Sequence, residues 1–191
     1  NGTAQGSEFN LVSHTGASAR SDIVSLGNGK IGFVYIEQST KNLRAYTYNT
    51  STNSVLSNVI IDSYASLDSN SNPGDASNLE VINFGTGFGA THKKGNAFFF
   101  TQFDSSGSIT KGPSSIYQGS DKLLQVADIG SNRLFVAHTA AENAIHGTSG
   151  KIINLDDFTD ATSTKTISSK RLNTDGKLIF DNGKLLFSAL D

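Results

Sequence analysis

The sequence predicts an all-β protein and, within that class, a small β-propeller of about four four-stranded blades. Helical periodicity is almost absent, and short apolar or alternating segments recur between Gly, Asn, Asp and Ser. One order of four such segments also returns about every 50 residues. The best amphipathic candidate, residues 155–161, is short enough to be a turn. A β-sandwich is the alternative, because short strands at regular spacing also suit two packed sheets.

The first unit opens with a hairpin, DIVSLGNGKIGFVYIE (22–37), that turns at Asn28 and Gly29. Both central residues of a type I′ turn need positive φ, which Asn and Gly tolerate best. Two further strand-like segments follow, NLRAYTYN (42–49) and SNVIIDS (57–63). The unit therefore predicts four strands, in the order a, b, c and d.

The second and third units repeat this order, and the fourth contains only its first two strands. The second unit comprises EVINF (80–84), GFGATHKK (87–94), NAFFFTQFD (96–104) and SSIYQG (114–119). The third comprises QVADI (125–129), RLFVAHTA (133–140), GKIINLDD (150–157) and TKTISS (164–169). The fourth comprises KLIFD (177–181) and KLLFSALD (184–191). Aligning the b strands places four residues at one position: Tyr35, His92, His138 and Ala189.

The two ends of the chain are predicted to complete the fourth blade together. SEFNLVSHT (7–15) precedes the first a strand and would supply a d strand, and NGTAQG (1–6) is the candidate for strand c. The ring would then close within a single domain, residues 1–191, and leave no open edge. If NGTAQG cannot pair, the chain is expected to be a fragment of a larger propeller.

Composition argues against several classes of protein. The net charge of −2 gives no strong field for nucleic acid or an anionic membrane, and no apolar run is long enough for a membrane span. The absence of Cys excludes disulfides and thiolate metal sites. Abundant Ser, Thr, Asn and Gly, with 17% charged residues, are typical of secreted proteins or proteins of a cell or virion surface.

Three segments carry a resemblance to known repeats: DIVSLGNGKIGFVYIE, NLRAYTYN and FFFTQFDSSGSI. Each pairs apolar strands with polar Gly turns, and in this the chain resembles the blades of bacterial secreted adhesins and FG-GAP-type propellers. The resemblance implies a binding or scaffolding role without naming a ligand. The chain departs from it in having no intact Asp-rich calcium loop and no Trp on which a sugar could stack.

The loop DSNSNPGD (68–75) is a candidate calcium site. Its oxygen-bearing side chains alternate as hard cations require: Asp68, Asn70, Asn72 and Asp75. Because Gly74 comes late and no Glu closes the loop, a solvated insertion stiffened by Pro73 is the competing interpretation.

Polar residues also open the a strands: Asp22, Glu80 and Gln125, with Asp175 just before the fourth. The a strand is innermost in a propeller, so these side chains would line an axial channel. The channel could hold Ca²⁺ or Mg²⁺, or only water.

The predicted ligand contacts are Tyr46, Tyr48, His92 and Tyr117. His92 and His138 would bind a transition metal only if their imidazoles converge. The basic segments 91–96 and 170–177 are interpreted as solvated tips, and DSSG (104–107) as a β-turn.

These features favour a non-catalytic extracellular domain that binds a glycan or a protein surface through loops of one propeller face. No G-x-S-x-G motif or catalytic triad spacing is present, so no enzyme is expected. The first alternative is a structural subunit with assembly partners in a virion, filament or cell-surface layer. The second is a propeller glycosidase, which would need acids clustered on one face.

Overall fold

The described part of the chain is all-β, which confirms the predicted fold class. A computed structural model describes residues 18–37, 39–63, 79–119, 123–139, 147–169, 171–172, 177–186 and 189–190. Within these ranges there is no helix, and the helical candidate at 155–161 is a turn followed by a two-residue strand. No helix capable of spanning a membrane occurs in the same ranges.

The first sheet is a four-stranded antiparallel meander in chain order: β1 (Ser18–Gly27), β2 (Lys30–Glu37), β3 (Asn42–Asn49) and β4 (Ser54–Ser63). Asn28 and Gly29 have φ of 50° and 69°, as a type I′ turn requires. These φ values and the pairing of β1 with β2 confirm the predicted hairpin. β4 begins at Ser54, three residues before the predicted start at residue 57.

The second sheet has the same topology: β5 (Glu80–Phe84), β6 (Gly87–Lys94), β7 (Ala97–Phe103) and β8 (Ile109–Gln118). β5 and β6 have the predicted bounds, and β8 begins before the predicted residue 114.

The third sheet has five strands: β9 (Leu123–Asp128), β10 (Arg133–Thr139), β11 (Thr148–Asn154), β12 (Thr159–Asp160) and β13 (Lys165–Ser168). β11 pairs with β10 on one side and with both short strands, β12 and β13, on the other.

The fourth unit forms two small ribbons. β15 (Ile179–Asp181) pairs with β16 (Lys184–Leu186), and β14 (Arg171–Leu172) pairs with β17 (Ala189–Leu190). The predicted pairing of the fourth a and b strands is confirmed for 179–181 and 184–186. Within the predicted b strand, 184–191, the structure describes β16 and β17, and the backbone of Ala189 pairs with Leu172 of β14.

The register confirms the alignment of the other three units. Asp22 lies opposite Val34, Glu80 opposite Thr91, and Gln125 opposite Ala137. The residue that follows each b-strand partner is therefore equivalent in the three sheets: Tyr35, His92 and His138.

The core consists of seams between consecutive sheets. In the first seam, Val34 and Leu43 of the first sheet pack with Val81 and Phe88 of the second. In the second seam, Phe98 and Phe100 of the second sheet pack with side chains of the third: Leu124, Val126, Leu134, Val136, Ile153 and Leu155. A third, smaller seam joins Phe135 and Ala137 to Leu178 beside β15.

The a strands of successive units adjoin in sequence order, β1 with β5, β5 with β9, and β9 with β15. Residues at equivalent positions of neighbouring a strands therefore lie near one another. The predicted closing strands, residues 1–6 and 7–15, lie outside the described residues.

Candidate functional site

Four polar residues on or next to the a strands form what we call the a-strand cluster: Asp22, Glu80, Gln125 and Lys177. The first three occupy equivalent positions on β1, β5 and β9, and Lys177 precedes β15. The sequence had singled out the first three as candidate lining of a polar channel.

Asp22 joins three parts of the fold. Its Oδ2 accepts a hydrogen bond from the backbone N–H of Val81 at 2.8 Å, which ties the first sheet to the second. The Nζ of Lys177 lies 3.0 Å from Oδ2 and 3.2 Å from Oδ1. This ion pair connects the last ribbon to the first strand, so residues 155 positions apart in sequence meet.

Glu80 repeats the tie one sheet further on. Its Oε2 accepts a hydrogen bond from the backbone N–H of Val126 at 3.0 Å. Val81 and Val126 occupy the same a-strand position, so each carboxyl group reaches the equivalent N–H of the next sheet. Gln125 is the third residue at this position and is buried.

The environment of Glu80 favours its neutral form. The residue is only 7% exposed, and its Oε1 is buried without a hydrogen-bond partner. Burial raises the pKa of Glu80 to about 8, and the negative charge of Asp22 adds to this rise. The hydrogen bond from Val126 and the positive charge of Lys177 act in the opposite direction but are weaker. At neutral pH most Glu80 side chains are therefore protonated.

A second tie links β5 and β9 at their other ends. Asp128 accepts hydrogen bonds from the N–H of Gly85 at 3.2 Å and from the N–H of Gly130 at 2.8 Å. The hydrogen bonds of Asp128 and Glu80 thus connect β5 and β9 at both ends. The carboxyl groups on these strands stabilise the contact between neighbouring sheets.

His92 lies at the first seam and contacts Asp62 of β4. Its Nε2 is 3.2 Å from Oδ2 of Asp62, and the Nζ of Lys94 donates to Oδ1 at 2.8 Å. Burial alone would raise the pKa of Asp62, but these hydrogen bonds outweigh it and hold the pKa well below its usual range. Asp62 is therefore ionised across the whole neutral range.

His138 occupies the equivalent place at the second seam, with a different partner. Its ring centroid lies 4.2 Å from that of Tyr117 on β8, and Lys151 lies over the same tyrosine ring. Since His92 contacts the first sheet and His138 the second, the two imidazoles lie at separate seams. The structure does not bring them together as a metal site.

The predicted ligand residues are mostly interior. Tyr46, Tyr48 and His92 are buried, and Tyr117 is half-buried against His138. Tyr46 stacks on Phe33 with centroids 5.0 Å apart, and the Tyr48 hydroxyl donates to the Asn53 side chain. Their ligand-binding role stays a prediction, but these side chains offer little surface to a macromolecule.

The predicted calcium loop, with Asp68, Asn70, Asn72 and Asp75, lies outside the described residues, as does Asp175. Across the part of the chain that is described, no three His, Asp or Glu side chains group in a way that could hold a metal ion. The Ca²⁺ site stays a prediction.

The DSSG segment is a turn, as expected. Asp104 accepts hydrogen bonds from the N–H of Ser106 at 2.8 Å and from the N–H of Ser108 at 2.9 Å, and its carbonyl accepts one from Gly107. The Ser106 hydroxyl also donates to the Asp104 carboxylate, at 2.6 Å. This hydroxyl bond, followed by the backbone bonds, holds the pKa of Asp104 below its usual value.

Lys177 is the cluster residue that sequence reasoning missed. It lay in the basic segment 170–177, which was interpreted as a solvated tip. Its position as the first residue of the predicted fourth a strand was the available signal, because polar residues open the other a strands.

No protein-family model matches the chain. No curated protein matches it either.

Proposed function

We propose that this chain is a non-catalytic, extracellular binding domain, secreted or displayed on a cell or virion surface. Its scaffold is a four-bladed propeller closed by its N- and C-terminal strands. Its ligand is a glycan or a protein surface, bound by the turns at one end of the blades.

Support for a propeller over a sandwich comes from the order of packing. Each sheet packs on the next through a separate seam, and the a strands adjoin in the same order. The Lys177–Asp22 ion pair adds a link from the last unit to the first. A two-layer sandwich would not place four successive units in this order.

The observation that carries the binding proposal is a set of tied turns, which we call the turn face: residues 28–29, 50–53, 104–108, 130–132 and 155–158. These turns join a to b and c to d, so the meander topology places them at one end of the sheets.

Hydrogen bonds hold the turn face together. The N–H of Thr50 donates to Gly29 at 2.7 Å, and the N–H of Leu155 donates to Asn132 at 3.0 Å. Between sheets, Ser57 donates to the carbonyl of Gly107 at 3.0 Å. A preorganised surface loses less entropy when it binds a ligand.

The exposed side chains of the turn face suit a hydroxyl-rich ligand. They are short and polar and offer both donors and acceptors: Asn28, Ser51, Thr52, Asn53, Ser106, Asn132 and Asp157. The carboxyl groups at the seams, in contrast, form hydrogen bonds between neighbouring sheets.

A glycan array probed with the purified chain tests this function. We expect binding to a defined set of glycans, and Ser51→Arg on the turn face should weaken it at least about tenfold. Gln118→Arg, the same change at an exposed site on the opposite end of the second sheet, is the matched control. Binding that both variants weaken equally, or hydrolysis of chromogenic glycosides, would contradict the proposal.

Ring closure has its own test. Spin labels at Ser7 and Ser188 report the distance between the two ends, and light scattering reports the mass. A short distance within one copy of the chain is expected, whereas a long distance would contradict the closed propeller.

A second candidate function, a structural subunit of a surface assembly, is favoured by one observation. Outer strand β4 exposes three aliphatic side chains, Val55, Leu56 and Ile60.

A further inference from the structure

We propose that β4 is a homotypic pairing edge, on which β4 of a second copy of this chain adds antiparallel across a two-fold axis. The proposal rests on the assembly alternative and does not use the turn face, so it can fail while the glycan proposal stands, and the reverse.

β4 is an open and apolar edge. Among the described strands it has a neighbour, β3, on one side only. Val55, Leu56 and Ile60 are 46%, 43% and 49% exposed. An unpaired edge of this kind is a template for another strand.

The equivalent edge of the second sheet is protected, although β8 also has ten residues. Pro113 has no N–H to donate to a further strand. Register shifts occur in both outer strands, three in the pairing of β8 with β7 and two in the pairing of β4 with β3. Lys111 adds a charge, and its ammonium donates to the carbonyl of Asp156 at 2.6 Å. Proline and lysine on an edge strand are devices that natural sheets use against edge pairing.

The outer strands of the third sheet are too short to offer a long edge to another strand. These strands, β12 and β13, have two and four residues, and β13 begins with Lys165. β4 has neither Pro nor Lys, and its residues are uncharged from Ser54 to Ile61.

The sequence of β4 is complementary to itself. A two-fold axis at Asn58 places this residue opposite its own copy and places Leu56 opposite Ile60 of the other copy. Leu56 and Ile60 are both exposed. The register of β4 on β3 is regular from Ser57 to Ile60, at the centre of this arrangement. Aliphatic pairs across antiparallel strands are stabilising.

The charges near the strand agree with a second copy as the occupant. In this register Asp62 lies opposite Ser54, so the two Asp62 carboxylates do not face each other. Each Asp62 is also neutralised within its own chain by Lys94. Like charges directly across the axis would have opposed pairing.

Light scattering over a concentration series is the first test. We expect a monomer–dimer equilibrium whose dissociation constant rises at least about tenfold in Ile60→Lys. Ile109→Lys, the same change at an exposed aliphatic of β8, should leave the constant unchanged. A wild-type chain that stays monomeric, or a dimer that Ile60→Lys leaves intact, overturns the proposal.

A single-cysteine pair decides the case even if Ile60→Lys disturbs folding. The chain has no Cys, so Asn58→Cys near the proposed axis and Ser115→Cys on β8 each introduce one thiol at an exposed site. Mild oxidation should yield disulfide-linked dimers of Asn58→Cys alone. Equal cross-linking of the two variants, or pairing of β4 with a strand of another protein while the chain stays monomeric, would refute self-pairing.

Discussion

Asp62 and Glu80 are both carboxylic acids at seams between stacked sheets, but their surroundings differ. Asp62 at the first seam receives hydrogen bonds from His92 and Lys94, whereas Glu80 at the second receives one backbone N–H and is more deeply buried. The pKa of Asp62 is lowered and that of Glu80 is raised to about 8. The same type of side chain thus stabilises one seam as an anion and the other as a neutral acid.

The two acids give opposite pH dependences. A lowered folded-state pKa contributes stability above the unfolded value of 3.8, and this is lost as the pH falls below it. A raised pKa contributes stability below the unfolded value of 4.5, and this is lost as the pH rises to about 8. From these two groups alone, stability is expected to be greatest near pH 4 to 5.

The largest effect on stability is expected when an aromatic side chain is removed from the second seam. Phe100 is fully buried, and its ring covers Gly89, where a Cβ would lie 2.2 Å from a ring atom. Phe100→Ala should lower the free energy of unfolding by about 3–5 kcal/mol. Phe180→Ala, at a partly exposed ring of β15, is the control, and urea denaturation measures both. Equal losses would contradict the assignment of Phe100 to the core.

The next largest effect on stability is expected when Glu80 is replaced by a residue that cannot ionise. Glu80→Gln keeps an oxygen that can accept the Val126 N–H and cannot ionise. Near pH 9 the variant should be more stable than the wild type, by up to a few kcal/mol, and near pH 5 the two should differ little. Urea denaturation at both pH values tests this. A difference that does not change with pH would refute the neutral Glu80.

A smaller effect is expected from Asp62→Asn at the first seam. Loss of the charged hydrogen bonds from His92 and Lys94 should cost about 1–3 kcal/mol at pH 7. The cost should diminish in acid, as the wild-type carboxylate protonates. Asp160→Asn, which breaks the more exposed pair with Lys151, should cost less than about 1 kcal/mol. Thermal unfolding at several pH values compares the two variants, and equal costs would place Asp62 among surface ion pairs.

The smallest effect concerns Lys177. Its pair with Asp22 is half-exposed, so Lys177→Gln should change stability by less than about 1 kcal/mol. Because the lysine charge opposes the rise in the Glu80 pKa, the substitution should raise that pKa further. Carbon-13 NMR of the Glu80 carboxyl group would detect the shift. An unchanged titration would mean that Lys177 does not act on Glu80.

The differences between prediction and structure have physical causes. Strands of eight residues such as NLRAYTYN are predicted well, because alternation and flanking turn residues are local signals. The pairing of Ala189 with β14 was not predicted, because it joins residues that are 17 positions apart and no local pattern indicates it. The burial of Tyr46 and Tyr48 was not predicted, because it depends on packing between strands. Their role as ligand contacts stays a prediction.

By itself, the sequence determined the strand order of three units, the Asn28–Gly29 turn and the equivalence of Tyr35, His92 and His138. These features depend on neighbours a few residues apart. Only the tertiary structure decided that Glu80 is neutral, that Lys177 meets Asp22, and that β4 pairs with one strand only among the described strands. Each depends on burial and charge contributed by residues far away in the chain, which local patterns do not contain.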